Sequence, residues 1–312
     1  MTLPESRPAP RLYTAAWILC GGGFIAIAFG LFIIGFEPAL GGMLVLVGIA
    51  ALLPGLVTAA RYQLVARRTR PEERYRGPSP VILFFLQVAV VTAASVPIYF
   101  GGQVFAQSPG GFLAASVLLL GGYLFVVWLF VVRGAALSWR EMVRVPQLTA
   151  HRIAADIGIG AVTMFVAAFG AGLLGTVVST ILGGTSPPQV VPPPTTTAEI
   201  VMVSLGAGIL VPIGEELFFR GFSISAWWRD LGPRSALIRA TVFFALVHLL
   251  NIQSATFIDG AKQAILEVSV IAPVGFALGY IYVRRGLIAS IGGHATFNLF
   301  LLLVTVAFPS AT

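Results

Sequence analysis

The chain has few charged residues and a single cysteine. Of its 312 residues, 10% are charged and 57% are hydrophobic, and the mean hydropathy is +0.94. An ordinary soluble domain contains roughly one-quarter charged residues, so this composition excludes a soluble globular protein. The one cysteine, Cys20, excludes an intramolecular disulfide. Long apolar runs take up most of the chain instead.

These apolar runs predict an all-α, polytopic membrane helix bundle. A membrane span needs about 20 mainly apolar residues, and nine runs reach that length. The run at 237–257 has fewer apolar residues and carries His248 and Asn251, so eight spans are the alternative. The nine predicted spans cover residues 13–35, 40–60, 80–100, 111–132, 157–183, 200–219, 237–257, 264–283 and 287–308.

The basic residues are distributed unevenly between the connections. With nine spans, 18 of the 19 basic residues, from Arg7 to Arg285, fall on one side, and only Lys262 falls on the other. Cytoplasmic connections are enriched in arginine and lysine, so the N-terminus is predicted to be cytoplasmic. The net charge of +7 is explained by topology, and nucleic acid is not a predicted partner. Abundant alanine, glycine and arginine with one lysine indicate a bacterial protein of the inner, cytoplasmic membrane.

A proline-rich segment, Gly184–Thr197, divides the chain into two predicted regions. Residues 1–197 hold five spans without a recognised motif, and residues 198–308 hold four spans with most of the intramembrane polar groups. Small-residue clusters are expected to allow close helix packing; they are Gly21–Gly23, Gly121 with Gly122, and Gly170 with Gly172.

Two adjacent glutamates lie near the end of the sixth span. A carboxylate at the bilayer centre disfavours insertion by roughly 2.5 to 3.5 kcal/mol, so Glu215 and Glu216 need partners or a function. On an α-helix, Glu216 and Arg220 share a face at i and i+4, whereas Glu215 points about 100° away. The spacing therefore predicts that Glu216 pairs with Arg220 and that Glu215 is the freer group. A purely structural ion-pair cluster is the alternative.

Two histidine patterns follow, Phe244-x-x-x-His248 and His294-x-x-x-Asn298. His294 and Asn298 share a helical face and together can bind a metal or donate hydrogen bonds to an oxyanion. At 1.5 Å per residue, Glu215 lies roughly 7 Å from its flanking arginine, and each histidine roughly 13 Å from its own. The three side chains are thus predicted to meet in one cavity that opens to the cytoplasm.

The series Glu-Glu-x-x-x-Arg, Phe-x-x-x-His and His-x-x-x-Asn, on successive membrane helices, resembles the CAAX prenyl protease type 2 and bacteriocin-processing (CPBP or Abi) membrane proteases. The resemblance covers about residues 199–305. It implies that Glu215 is the general base, helped by His248. It also implies that His294 and Asn298 stabilise the oxyanion, and that Glu216 and Arg220 shape the site.

The family label of metalloprotease raises the question of a metal. Glu215, His248 and His294 form a donor set that suits zinc, which lowers the pKa of bound water toward 7. A metal-free glutamate and histidine mechanism is equally consistent with the residues. The soluble-zincin signature His-Glu-x-x-His is absent from the sequence.

The predicted function is an intramembrane endopeptidase that cleaves a membrane-delivered peptide or protein. One alternative is a membrane scaffold or bacteriocin-immunity protein that keeps the motifs without catalysis. Another is a proton-coupled transporter, against which the missing internal repeat counts. The sequence leaves open the natural substrate, its prenylation and the oligomeric state.

Overall fold

The structure is a computed structural model that describes residues 9–100, 102–145, 149–254 and 256–307. Over these residues it is all-helical, with nine helices long and apolar enough to cross a membrane, which confirms the predicted fold class. The chain is thus a multi-pass membrane protein. Arg7 and the predicted end of the last span at Phe308 lie outside the described residues. The nine helices are Pro10–Ile33, Pro38–Ala66, Pro80–Ile98, Pro109–Val132, Ala150–Ile181, Thr197–Leu231, Pro233–Asn251, Phe257–Arg285 and Leu287–Ala307.

The sixth helix departs from the regular α-helix assumed above. Two stretches, Gly206–Leu210 and Glu216–Ile224, are π-helical, and a single α-helical turn, Val211–Glu215, lies between them. A π-helix bonds i to i+5, is rare, and is frequently found at functional sites. The Ser223 hydroxyl follows this spacing, because it donates to the Phe218 carbonyl at 2.8 Å. The seventh helix also changes at its end, where His248–Asn251 forms a 3₁₀ turn.

Residue contacts divide the chain into two compact units. The first consists of residues 1–96 and 124–138. Within it the first two helices pack closely, because a Cβ on Gly23 would lie 2.8 Å from the Gly48 carbonyl, and one on Gly30 would lie 2.8 Å from the Gly41 carbonyl. The second unit consists of residues 97–123 and 139–312. The predicted boundary near residue 197 stays a prediction.

In the second unit the fifth helix packs against the ninth without intervening side chains. A Cβ on Gly160 would collide with the Ala289 carbonyl oxygen and lie 2.9 Å from the Gly293 nitrogen. Small residues at both positions allow the two backbones to approach closely. Met164 and Phe297, both buried, continue this contact in an apolar cluster with the eighth helix. The ninth helix, which carries His294, is thereby held in place.

A buried carboxylate joins the ends of the fifth and eighth helices. The Asp156 side chain has no exposed surface; Arg152 Nε donates to its Oδ2 at 2.7 Å, and Arg285 Nε lies 3.4 Å from its Oδ1. Burial of an ion costs several kcal/mol unless it is paired. The two arginines compensate that cost and fix the helix ends relative to each other.

Candidate active site

Glu216 is the centre of a buried polar network. Arg220 Nη1 donates to its Oε1 at 2.7 Å, and His294 Nδ1 donates to the same oxygen at 2.8 Å. The Ser290 hydroxyl donates to Oε2. The predicted Glu216–Arg220 ion pair is confirmed, and the side chains of both residues are at most 2% exposed. Three donors from two helices satisfy this carboxylate, which is the condition under which a buried charge is tolerated.

Arg220 is held from two further directions. Its Nη2 donates to the Gly275 carbonyl at 3.2 Å, and its guanidinium carbon lies 4.0 Å from the centre of the Phe244 ring. Gly275 leaves room for this contact, because a Cβ there would lie 2.9 Å from a Phe244 ring carbon. A desolvated cation over an aromatic face is stabilised by roughly 2 kcal/mol. Arg220 therefore connects the sixth, seventh and eighth helices.

Glu215 forms none of these hydrogen bonds. Its side chain is 15% exposed, and its Oε2 lies 3.8 Å from His294 Nε2. That distance is too long for a direct hydrogen bond. Because a carboxylate only accepts, His294 Nδ1 carries the proton shared with Glu216, and Nε2 is the nitrogen that faces Glu215. The structure thus brings Glu215 and His294 together around a small gap.

His248 is anchored by its own helix. Its Nδ1 lies 2.7 Å from the Phe244 carbonyl, which can only accept, so Nδ1 carries the proton and Nε2 is left with a lone pair. The His248 ring centre is 4.5 Å from that of Phe244, which is 6.2 Å from the His294 ring. Glu215 and His294 both interact electrostatically with His248. Phe244 therefore contacts both imidazoles.

Asn298 makes a hydrogen bond that the motif does not predict. Its amide nitrogen donates to the Ala207 carbonyl at 2.7 Å. Ala207 lies in the first π-helical stretch, where one turn of backbone is widened. The bond ties the ninth helix to the sixth, eight residues before Glu215. One amide proton and the carbonyl oxygen of Asn298 remain for other partners.

The predicted metal ligands do not converge into a metal-binding cluster. Among the described residues, no group of three histidine, cysteine or acidic side chains is close enough together to hold a metal ion. Both imidazoles present Nε2 and have Nδ1 occupied by an oxygen, which is the usual state of a zinc ligand, but Glu215 does not complete a three-ligand set. The metal set Glu215, His248 and His294 therefore stays a prediction.

Sequence reasoning missed Ser290. This side chain is fully buried, donates to Glu216, and lies 3.1 Å from the Leu278 carbonyl. The signal was present in its spacing, because Ser290, His294 and Asn298 lie at i, i+4 and i+8 on one face of the ninth helix. A hydroxyl one turn before a motif histidine is a candidate partner for the same acidic group.

The comparisons with known proteins identify the C-terminal part of the chain. Residues 197–300, about a third of the chain, match the family described as "Type II CAAX prenyl endopeptidase Rce1-like". No curated protein and no solved structure matches the chain. All seven motif residues lie inside the matched segment. Residues 197–300 are therefore a domain of the Rce1-like type II CAAX prenyl endopeptidase (CPBP/Abi) family, and the chain is a multi-pass membrane protease.

Proposed function

We propose that the protein is an intramembrane endopeptidase in which Glu215 is the general base. The observation that supports this most directly is the placement of His294. Glu216, itself held by Arg220 and Ser290, bonds to the ring so that Nε2 faces Glu215 at 3.8 Å. Glu215 is the only one of the two glutamates with exposed side-chain surface, so it is the carboxylate that water reaches.

In the proposed mechanism, Glu215 removes a proton from a water molecule as the water oxygen attacks the scissile carbonyl carbon. His248 Nε2, with its free lone pair, supports this step by accepting a hydrogen bond from the same water. The carbonyl oxygen becomes an oxyanion. When the carbon–nitrogen bond breaks, the proton on Glu215 passes to the leaving amine, so water is the only reactant consumed besides the peptide.

His294 fits the oxyanion role when its ring is protonated. Glu215, Glu216 and Arg220 together carry one net negative charge, and an imidazolium at His294 balances it. The protonated ring keeps its bond to Glu216 through Nδ1 and presents an N–H on Nε2 to the developing negative charge. Asn298 is proposed to contribute its second amide proton. Glu216 and Arg220 act by fixing the His294 ring.

Substitution of each candidate tests the assignment. Glu215→Ala, His248→Ala and His294→Ala are each expected to abolish cleavage of a quenched fluorescent peptide with a farnesylated C-terminal CAAX sequence, assayed in proteoliposomes. The melting curves of these variants in detergent should stay cooperative. A Glu215→Ala variant with full activity would show that the base is assigned wrongly. A non-prenylated peptide of the same sequence, run in parallel, measures whether the lipid is needed.

The orientation and location belong to the same proposal. We place the N-terminus in the cytoplasm of a bacterial cell and the active site on the cytoplasmic side, because the arginines lie at that end of the spans. Single cysteines test this in a Cys20→Ser background: a membrane-impermeant maleimide added outside intact cells should label Ala261→Cys and leave Arg68→Cys unlabelled, since both positions are exposed. The reverse labelling pattern would show that the topology is the opposite of the one proposed.

A further inference from the structure

Tyr123 lies on the fourth helix, outside the segment that matches the protease family. It belongs to the same compact unit as the active site. The residue is 3% exposed, and its ring centre lies 5.0 Å from that of Phe218 and 6.2 Å from that of Phe219. These two phenylalanines lie just after Glu216, so the tyrosine ring is packed against the catalytic helix.

The contact continues to the residue just before Glu215. A Cβ on Gly214 would lie 3.0 Å from Tyr123 Cδ2 and 3.3 Å from the Leu120 Cα. Gly214 therefore allows the backbone that carries Glu215 to approach the fourth helix. Tyr123 also interacts electrostatically with Glu215. The phenol is thus a neighbour of the proposed base.

The hydroxyl of Tyr123 has no hydrogen-bond partner among the described residues. Buried tyrosine hydroxyls usually have one, and Tyr282 in the same unit shows this, with Ser225 Oγ at 2.8 Å and the Met142 carbonyl at 2.9 Å. Some hydroxyl and amide groups of the described side chains, such as those of Gln87 and Thr241, are completely enclosed without a hydrogen bond. The Tyr123 hydroxyl is not one of them. The ring is therefore packed on the catalytic helix, and its hydroxyl has no partner among the described residues and is not completely enclosed.

We infer that Tyr123 is a further catalytic residue, whose hydroxyl donates a hydrogen bond to the scissile carbonyl oxygen as it becomes an oxyanion. The inference rests on the proposed function, since it needs Glu215 to direct water at that carbonyl. A phenol is well suited to the role because it donates one proton, stays neutral and sits on a ring fixed by aromatic packing. The fourth helix thereby supplies part of the active site that the family segment lacks.

The variant Tyr123→Phe removes the hydroxyl and keeps the ring. Loss of one oxyanion donor costs about 10² to 10³ in kcat, so the expected result is a kcat lowered about 100-fold or more, with KM nearly unchanged. The probe is the farnesylated CAAX peptide in proteoliposomes. Because the hydroxyl bonds to no described residue, the melting temperature should equal that of the wild type. Tyr280→Phe is the control, since Tyr280 is 46% exposed, and it should keep full activity.

A phosphinate analogue of the same peptide, which mimics the tetrahedral intermediate, gives a second measurement. Its affinity for Tyr123→Phe should fall by about the same factor as kcat. Affinity for the peptide itself is measured in an inactive Glu215→Gln background, and adding Tyr123→Phe to that background should not change it. A structural role for the hydroxyl would instead lower the melting temperature and affect both ligands.

The outcomes separate the two claims. If the wild type cleaves the peptide and Glu215→Ala does not, full kcat in Tyr123→Phe overturns the role of Tyr123 and leaves the proposed function in place. A raised KM with unchanged kcat also overturns it, because the hydroxyl would then act in substrate binding alone. If the wild type neither cleaves the peptide nor binds the analogue, the proposed function itself fails and the inference falls with it.

Discussion

Gly160 on the fifth helix packs against the backbone that leads into His294, although it lies outside the family segment. In Gly160→Ala, the atoms nearest to the new methyl group would be backbone atoms of the ninth helix, the Ala289 carbonyl and the Gly293 nitrogen. Backbone cannot rotate away as a side chain can. Moving the Gly293 nitrogen from 2.9 Å to the ordinary contact distance of 3.4 Å requires a shift of about 0.5 Å, and the closer carbonyl requires more. His294 follows Gly293 directly and moves with it.

Two effects on stability oppose each other in this variant. Alanine is favoured over glycine in a helix by about 1 kcal/mol, whereas overpacking costs about 1 to 3 kcal/mol. The expected net loss is therefore small, at most about 2 kcal/mol. The effect on activity should be larger, because a misplacement of about 1 Å in a catalytic group can cost 10²-fold in rate. We expect kcat to fall about 10- to 100-fold while the protein stays folded.

Gly158 supplies a matched control two residues away on the same helix. A Cβ there would meet nothing within 4 Å, so Gly158→Ala should keep full kcat and gain up to about 1 kcal/mol from helix propensity. Both variants are assayed for peptide cleavage and for thermal unfolding in one detergent. Equal activity in the two variants would refute the reasoning, since it would mean that the ninth helix shifts without moving His294 or does not shift.

Two other substitutions probe charges within the spans. Arg220→Ala should abolish cleavage and lower stability by about 3 to 5 kcal/mol, because it removes one partner of a buried ion pair and leaves Glu216 without its guanidinium; an unchanged melting curve would contradict the pairing. Glu267→Leu should raise the melting temperature, because this partly buried carboxylate of the eighth helix has no hydrogen bond or ion pair among the described residues and an unpaired charge in a span is costly. A lower melting temperature would contradict this, because it would mean that the Glu267 carboxylate makes a stabilising interaction.

The sequence predicted the nine spans because hydrophobic length is a property of each segment alone. The same holds for the Glu216–Arg220 pair, since two residues four apart on a helix meet whatever surrounds them. Ser290 and Gly275 also bind this pair, and their contacts depend on how the eighth and ninth helices pack. Local spacing carries no information on that packing, so these partners could not be assigned from the motifs alone.

The glycine clusters show that composition alone does not predict where helices pack closely. At five of these glycines a Cβ would meet nothing within 4 Å, so the expectation of close packing was wrong there; they are Gly21, Gly22, Gly121, Gly170 and Gly172. Gly23, in the first cluster, does pack closely, as described above. The difference is helical phase: only the glycine that faces a neighbouring helix makes the contact, and the sequence does not say where the neighbour lies.

The π-helical turns that flank Glu215 make the active site sensitive to the length of the chain as well as to its side chains. Each such turn accommodates one residue more than an α-helical turn. Deleting one residue from Gly206–Leu210 would convert this turn into an α-helical one and remove the widened backbone at Ala207, whose carbonyl accepts the bond from Asn298. Glu215 would keep its identity and nearly its direction, but the sixth and ninth helices would lose the bond that aligns them. In this segment, the number of residues in a helical turn is itself a catalytic requirement.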